Sequence, residues 1–337
     1  MLTRRSRITE ALDSARRAAT LEAHRIRAKL DLTPTERVDI FRLIVNEDIW
    51  LRFAILGRLY GAYQRTRCGA GILINNQHPL HLQRMTAAHE YGHHVLKHEV
   101  SLDEEEAIEG RLSNGLREQE AFAFASALMI PLDGVHAKLP ASWRPGRRWM
   151  PNPEALYAMA AEFGVSYRAL VVQLAALEII SWRQAEEFRD VSPLRIKRDL
   201  ASGQEPANTR VTVWRFGRDD NGRRVTTDIG DEIHLYLPAG TTQKDRWKLV
   251  DVGDLDAIEI LGDSLLSTRS IVTEDSQHIA FRAVAATTVG LALNRECTLI
   301  PESFSLALTV LPDERPEGEG LHRLQQRQLI GAMRRWR

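Results

Sequence analysis

The sequence predicts an α+β fold built from separate parts, and three observations carry that reading. Charged and alanine-rich stretches with helical spacing dominate the first 200 residues. Short apolar runs broken by Gly57, Gly61, Gly69 and Gly71 interrupt them, and from Thr209 onward apolar and polar residues alternate between turn residues. The expected divisions are a helical domain with a small sheet at 1–148 and a helical, helix-turn-helix-like segment at 149–200. An all-β sandwich at 205–312 and a basic C-terminal tail at 313–337 complete the chain.

In chain order, the stretch from Ile8 to Leu30 reads as a helix by its alanine and charge content. "TPTERVDIFRLIV" reads as a second, with Thr33 as N-cap and Pro34 in its first turn. "IWLRFAIL", "LYGAYQR" and "GILIN" have the β-branched content of a small sheet. "TAAHEYGHHVLKH" then gives a helix, the acidic run "DEEEAIEG" a solvated loop, and "LREQEAFAFASALMIP" a helix stopped at Pro131. The turn-rich "LPASWRPGRRWMPNP" marks a boundary near residue 150.

"PEALYAMAAEFGVSYRALVVQLAALEIIS" follows as helix, glycine-containing turn and helix. Its second helix offers only Arg168 and Gln173 among apolar residues, so packing is favoured over entry into a DNA groove. "TRVTVWRF", "EIHLYL", "RWKLVDV", "HIAFRAVA", "TVGLALNR" and "FSLALTVL" supply the strands of the β domain, whose core takes Cys297.

The chemistry is concentrated in "HEYGH". His89 and His93, four apart, stand on one helical face and can reach one metal ion. Glu90 is placed to approach a water on that metal without ligating it, the H-E-x-x-H arrangement of zinc metallopeptidases. His94 and His98 point elsewhere, about 140° and about 180° around an extended helix from His89, and read as surface histidines. A third ligand is expected from the next helix. Glu118 lies within about 40° of Phe122, Ala125 and Met129 on the apolar face, whereas Glu120 points about 200° away, so Glu118 is preferred. A buried carboxylate there calls for a partner, and a divalent cation is the strongest; a carboxylate pairing near its helix start is the plainer alternative. Zn2+ is the expected ion, with Mn2+ also compatible with a His2Glu set. Glu90 would take the proton of the attacking water and return it to the leaving amine.

Lysine plus arginine equal aspartate plus glutamate at 45 each, so no overall field favours nucleic acid or membrane. "MLTRRSRITEALDSARR" lacks the apolar stretch of a secretory signal, and "ALVVQLAALEII" is too short to span a bilayer. Two cysteines far apart make no disulfide framework. These features lead to the expectation of a cytoplasmic protein without membrane partners.

"NNQHPLHLQRMTAAHEYGHHVL" followed by "EQEAFAFASALMIP" resembles the ImmA/IrrE family of bacterial metallopeptidases, over roughly residues 1 to 190. The resemblance implies a zincin-like domain with Glu118 as third ligand. It also implies a regulatory endopeptidase that cuts a helix-turn-helix repressor after DNA damage or phage stress. Where the family tends to carry Asn or Asp four residues after the ligand glutamate, this sequence has Phe122. A hydrogen bond orienting a ligand is then missing or supplied elsewhere. "GDEIHLYLPAGTTQKDRWKL", "FRAVAATTVGLALNRE" and "FSLALTVL" faintly resemble the immunoglobulin-like chagasin-type protease inhibitors, which implies an Ig-like sandwich serving as sensor or docking module.

Two further features have competing readings. Cys68, in "RTRCGAGILIN", is either an inhibitory fourth metal ligand or a small buried apolar residue. Arg334, Arg335, Trp336 and Arg337 either grip single-stranded DNA, as an activator, by charge and stacking, or form a frayed terminus. Against the protease stands a metal-containing adaptor or DNA-binding regulator acting through the sandwich, the helix-turn-helix-like segment and the tail.

Overall fold

The computed structural model describes residues 4–67, 69–98, 100–103, 115–141, 150–239, 245–266, 276–295 and 302–311. Cys68, Cys297, the acidic run beyond Asp103 and the four tail residues Arg334 to Arg337 lie outside the described residues. The fold is α+β, and it divides into two compact units between Asp190 and Val191.

In the first unit, α1 (Arg4–Lys29) is followed by α2 (Ile40–Asn46), capped by Asp39, whose Oδ1 accepts from the Arg42 N–H at 3.1 Å. The helix expected from Thr33 therefore starts later. Residues 33–39 form a turn because the buried Arg27 guanidinium claims their carbonyls, donating to Thr33 O at 2.8 Å and Glu36 O at 3.0 Å. Its other amino group donates to Leu128 O at 2.9 Å, tying this turn to a helix about a hundred residues on.

Strands β1 (Trp50–Ala54), β2 (Gly61–Thr66), β3 (Gly69–Asn75) and β4 (Val100–Asp103) form one sheet in the order β1-β3-β2-β4. β1 and β3 run parallel, and the β3/β2 and β2/β4 pairs are antiparallel. β4, where the sequence predicts no element, gives the sheet an edge strand. Helix α3 (Leu80–Val95) packs on β2 and β3, and α4 (Leu116–Met129) packs against both α3 and α1. Pro131 ends α4 and starts the short α5 (Leu132–Lys138).

Helix α6 (Pro153–Phe163) is capped by Asn152 and stopped at Gly164, whose φ of 70° favours glycine and whose Cβ position is filled by the Arg37 guanidinium. Helix α7 (Tyr167–Ala176), capped by Ser166, leaves at 98° to α6. α7 is a core element: Gln173 is buried and donates to Ile130 O at 3.3 Å, and Arg168 is half-buried. α8 (Trp182–Arg189) starts with a capping box between Ser181 and Gln184. Among the described residues no single helix is long and apolar enough to cross a membrane.

The second unit opens with α9 (Pro193–Leu200) and then holds two four-stranded sheets. One orders β5 (Val213–Gly217), β7 (Glu232–Pro238), β10 (Ser276–Ala283) and β9 (Ile258–Leu266). The other orders β6 (Arg223–Asp228), β12 (Glu302–Leu311), β11 (Thr288–Arg295) and β8 (Trp247–Val252). β11 and β12 alternate buried and open positions, the pattern of strands with one face on a core. Gln277 bridges the sheets, accepting from Trp247 N–H at 2.7 Å and donating to Trp247 O at 3.1 Å. Buried Asp231 accepts from Thr212 N–H, Trp214 Nε1–H and Asp228 N–H at 2.9, 2.9 and 3.0 Å.

Two predictions follow from these cores. Replacing Arg27 with Met strands the buried Leu128 carbonyl and the part-buried carbonyls of Thr33 and Glu36 and should lower the stability of the first unit by about 3 kcal/mol, read by urea unfolding; a loss within error of zero would refute the role given to Arg27. His278 is held down to about 4 by burial, then by His234 and Arg215. The unfolded chain therefore binds a proton here that the fold resists. Stability from neutral His278 is complete above about pH 6.5 and drains away as the pH falls toward 4. Burial and neighbouring Asp228 push Asp231 up to about 6, which acts in the opposite sense, so the readout is a difference. Wild type should lose stability relative to His278→Gln between these pH values, whereas parallel pH curves would contradict the assignment.

Candidate metal centre

α3 and α4 cross closely because position 92 is glycine. A Cβ on Gly92 would sit 3.0 Å from Phe124 Cδ1, 3.2 Å from Ala121 O and 3.3 Å from Ala121 Cα. Backbone atoms cannot yield as a side-chain tip can, so any larger residue would hold the helices apart. At this crossing Glu118, in the first turn of α4, meets the imidazoles of α3.

Glu118 Oε2 lies 3.0 Å from His89 Nε2 and 3.4 Å from His93 Nε2, and the two Nε2 atoms are 3.2 Å apart. Ligands at about 2.0–2.1 Å around a tetrahedral ion are separated by about 3.3–3.4 Å, so the triangle matches one face of such a sphere. Among the described residues this is the one group of three His, Cys, Asp or Glu side chains whose donor atoms lie within 4.8 Å of one another. Both histidines are 1 % exposed, whereas the Glu118 side chain is 26 % exposed, so among the three ligands the carboxylate is the most open to solvent. The donor set, three ligands among the described residues, fits a divalent metal.

The electrostatics agree with that fit. Burial acts to raise the Glu118 carboxyl, but hydrogen bonds from His89 and His93, which a cation held through the same Nε2 atoms would replace, outweigh it and hold the group well below the usual carboxylate range. A cation between the three donors would do the same more strongly.

Glu90 is fully buried. It lies against β2 at Gly61, where a Cβ would come within 2.6 Å of both Glu90 Oε1 and Thr86 Cγ2. The strand backbone thus fits against the carboxylate only because it bears no side chain there. Glu90, His89, His93 and Glu118 occupy the expected elements, and Glu118 rather than Glu120 reaches the histidines. Phe122 is half-buried and Ala125 and Met129 are buried, which is the face used to choose between the two carboxylates.

His98 departs from expectation. It is 7 % exposed, and its Nδ1 lies 2.8 Å from His93 Nδ1. The extrapolated helical angle fails because α3 ends at Val95. Lys97 takes a left-handed φ of 63°, Lys97 N–H donates to His94 O at 3.1 Å, and His98 N–H donates to His93 O at 2.9 Å. This Schellman-type stop folds His98 back onto the metal-facing helix. A glycine at position 97 would have announced it; lysine did not. His94 is half-buried with its Nδ1 3.3 Å from the Tyr63 hydroxyl, so it too is less solvated than expected.

Residues 46–175 match the family Peptidase_M78, described as the IrrE N-terminal-like domain. The matched stretch lies within the first unit, the family's name denotes a peptidase, and the metal-compatible cluster stands among the matched residues. No curated protein matches the sequence. Similar solved structures include the cysteine protease inhibitor EhICP2 from Entamoeba histolytica, with 11 % identity and a TM-score of 0.27, covering 31 % of this chain and 99 % of that one. Amebosin gives 15 % identity and 0.22, with 29 % and 97 % covered. PbICP-C, solved in complex with falcipain-2, gives 10 % identity and 0.17, with 31 % and 91 % covered. Likenesses this low carry no argument here.

The crossing at Gly92 predicts that Gly92→Val will weaken Zn2+ binding by about tenfold or more, the scale of disturbed ligand support. Competition with a chromophoric chelator measures this, and an unchanged affinity in a folded variant would show that the ligand spacing is set elsewhere.

Proposed function

We propose that the protein is a cytoplasmic, zinc-dependent regulatory endopeptidase that cleaves a helix-turn-helix transcriptional repressor in response to DNA damage or phage stress, with single-stranded DNA as its activator. The observation that carries the catalytic part is a fully buried carboxylate, Glu90, on the same helix as two imidazoles whose Nε2 atoms converge with Glu118. A purely structural metal site needs no general base.

His89, His93 and Glu118 would hold the ion. When bound, it supplies Lewis-acid polarisation of the scissile carbonyl and makes water more acidic. Glu90 accepts the proton of the attacking water on its carboxylate and returns it to the departing amine. Gly61 keeps β2 clear of that carboxylate, and burial by α3 and β2 shields it from bulk water. The second unit would serve as sensor or docking module, with an Ig-like sandwich as its architecture. Mn2+ is the alternative ion.

The rival reading, a metal-containing adaptor without catalysis, is separated by one experiment. The protein is incubated with the helix-turn-helix protein encoded next to it, with and without single-stranded DNA. Wild type should fragment that partner, treatment with a chelator should stop it, and added Zn2+ should restore it. Glu90→Gln should slow cleavage by about 100-fold or more while still binding Zn2+. Fragmentation at equal rates by Glu90→Gln would sink the assignment of the base; intact partner under every condition would leave the adaptor.

A further inference from the structure

We propose that His98 and Glu120 are positioning residues that fix the tautomer and ring orientation of His93 for metal binding. The proposal rests on the metal reading above and adds two residues to it. His93 presents Nε2 to the cluster shared with His89 and Glu118, 3.2 Å and 3.4 Å from their donor atoms. A neutral imidazole that binds a cation through Nε2 must carry its proton on Nδ1. His93 Nδ1 is buried and stands 2.8 Å from His98 Nδ1, so His93 donates and His98 accepts.

That assignment fixes the next proton. With Nδ1 accepting, neutral His98 carries its hydrogen on Nε2, and that nitrogen faces Glu120 Oε2 at 3.3 Å. A carboxylate accepts and has no donor role of its own, so it fixes the direction of this bond. One direction of donation runs through the whole chain: His93 to His98, His98 to Glu120. The reverse direction would put a proton on His93 Nε2 and aim it at the other two donors.

Geometry supports a built arrangement. The His93 and His98 rings are 4.9 Å apart at 62°, and His98 is held by the turn at Lys97 with its own N–H on His93 O. Glu120 lies two residues beyond Glu118, so α4 delivers the metal-facing carboxylate and the outer carboxylate from opposite sides. An outer hydrogen-bond partner raises ligand basicity and removes rotational freedom, and its loss costs about 10- to 100-fold in metal affinity.

Full-length protein freed of metal is titrated with Zn2+ against a chromophoric chelator, with His98→Ala, His98→Asn and Glu120→Ala beside wild type. His98→Ala should bind about 10- to 100-fold more weakly. His98→Asn, whose amide oxygen can stand at the Nδ1 position and accept from His93, should recover most of that loss, and Glu120→Ala should lose several-fold. Nitrogen NMR of 15N-histidine protein loaded with Zn2+ should show His98 protonated on Nε2 alone. Equal affinities throughout, or equal losses for His98→Ala and His98→Asn, would overturn the relay in favour of simple packing. If His98→Ala does not fold, the tautomer and Glu120→Ala decide: a proton on His98 Nδ1 overturns the proposal. Wild type that binds no Zn2+ overturns the metal reading itself, a result distinct from all of these.

Discussion

The first unit depends on how closely α3 can lie against α4. Two histidines four residues apart are inevitable neighbours on any helix, but a carboxylate 29 positions from His89 reaches them only if a second helix passes nearly in contact. Gly92 sits inside "HEYGHH" for that reason: a Cβ there would crowd the Ala121 backbone across the gap at 3.2–3.3 Å. Gly61 does the corresponding service on the sheet side, where β2 passes Glu90. The acidic and basic groups are thus held by two places where side chains are missing. Supporting them are Arg27, which ties α1 to the last turn of α4, and the sheet beneath α3.

Much of this was legible in the sequence, and the part that was not has physical causes. The four-residue spacing placed His89 and His93 side by side, because it rests on regular geometry inside an element; the helix-face argument chose Glu118, but the two carboxylates are similarly exposed, 26 % and 22 %, and it is contact with His89 and His93 that separates them. Where an element stops, periodicity says nothing. His98 was assigned to the wrong side since the helical angle was carried past Leu96 into a left-handed residue that lysine does not advertise. The turn at 33–39 was read as helix since Thr33 and Pro34 are good starters, while the competing partner, Arg27, comes from the preceding helix.

The β strands divide by the same logic. Those with apolar alternation were recognised; β6, "RRVTTD", has too little apolar content, and β9 is open to solvent along most of its length, so neither carries a period-two signal. β4, "VSLD", is four residues long and is defined by pairing with β2 rather than by its own composition. Edge strands are specified by their neighbours, which a local reading does not see.

The second unit offers an internal comparison for the metal centre, because it too buries a pair of histidines. His234 and His278 lie on adjacent strands, nearly parallel at 5.1 Å, with His234 Nδ1 2.8 Å from His278 Nε2. Those facing nitrogens are spent on each other. The Glu232 carboxylate stands 3.7 Å from His234 on the remaining nitrogen and is also paired with Arg282, while the opposed charges of Arg215 and Asp263 act on His278. A cation entering there would have to break an imidazole hydrogen bond beside an arginine. At His89 and His93 the same residue type has both Nε2 atoms converging on a shared carboxylate oxygen, and the other nitrogen of His93 is turned back to His98. Burial of histidine is common to both sites. What distinguishes the one able to take a metal is that two Nε2 atoms and a carboxylate oxygen converge on a common place.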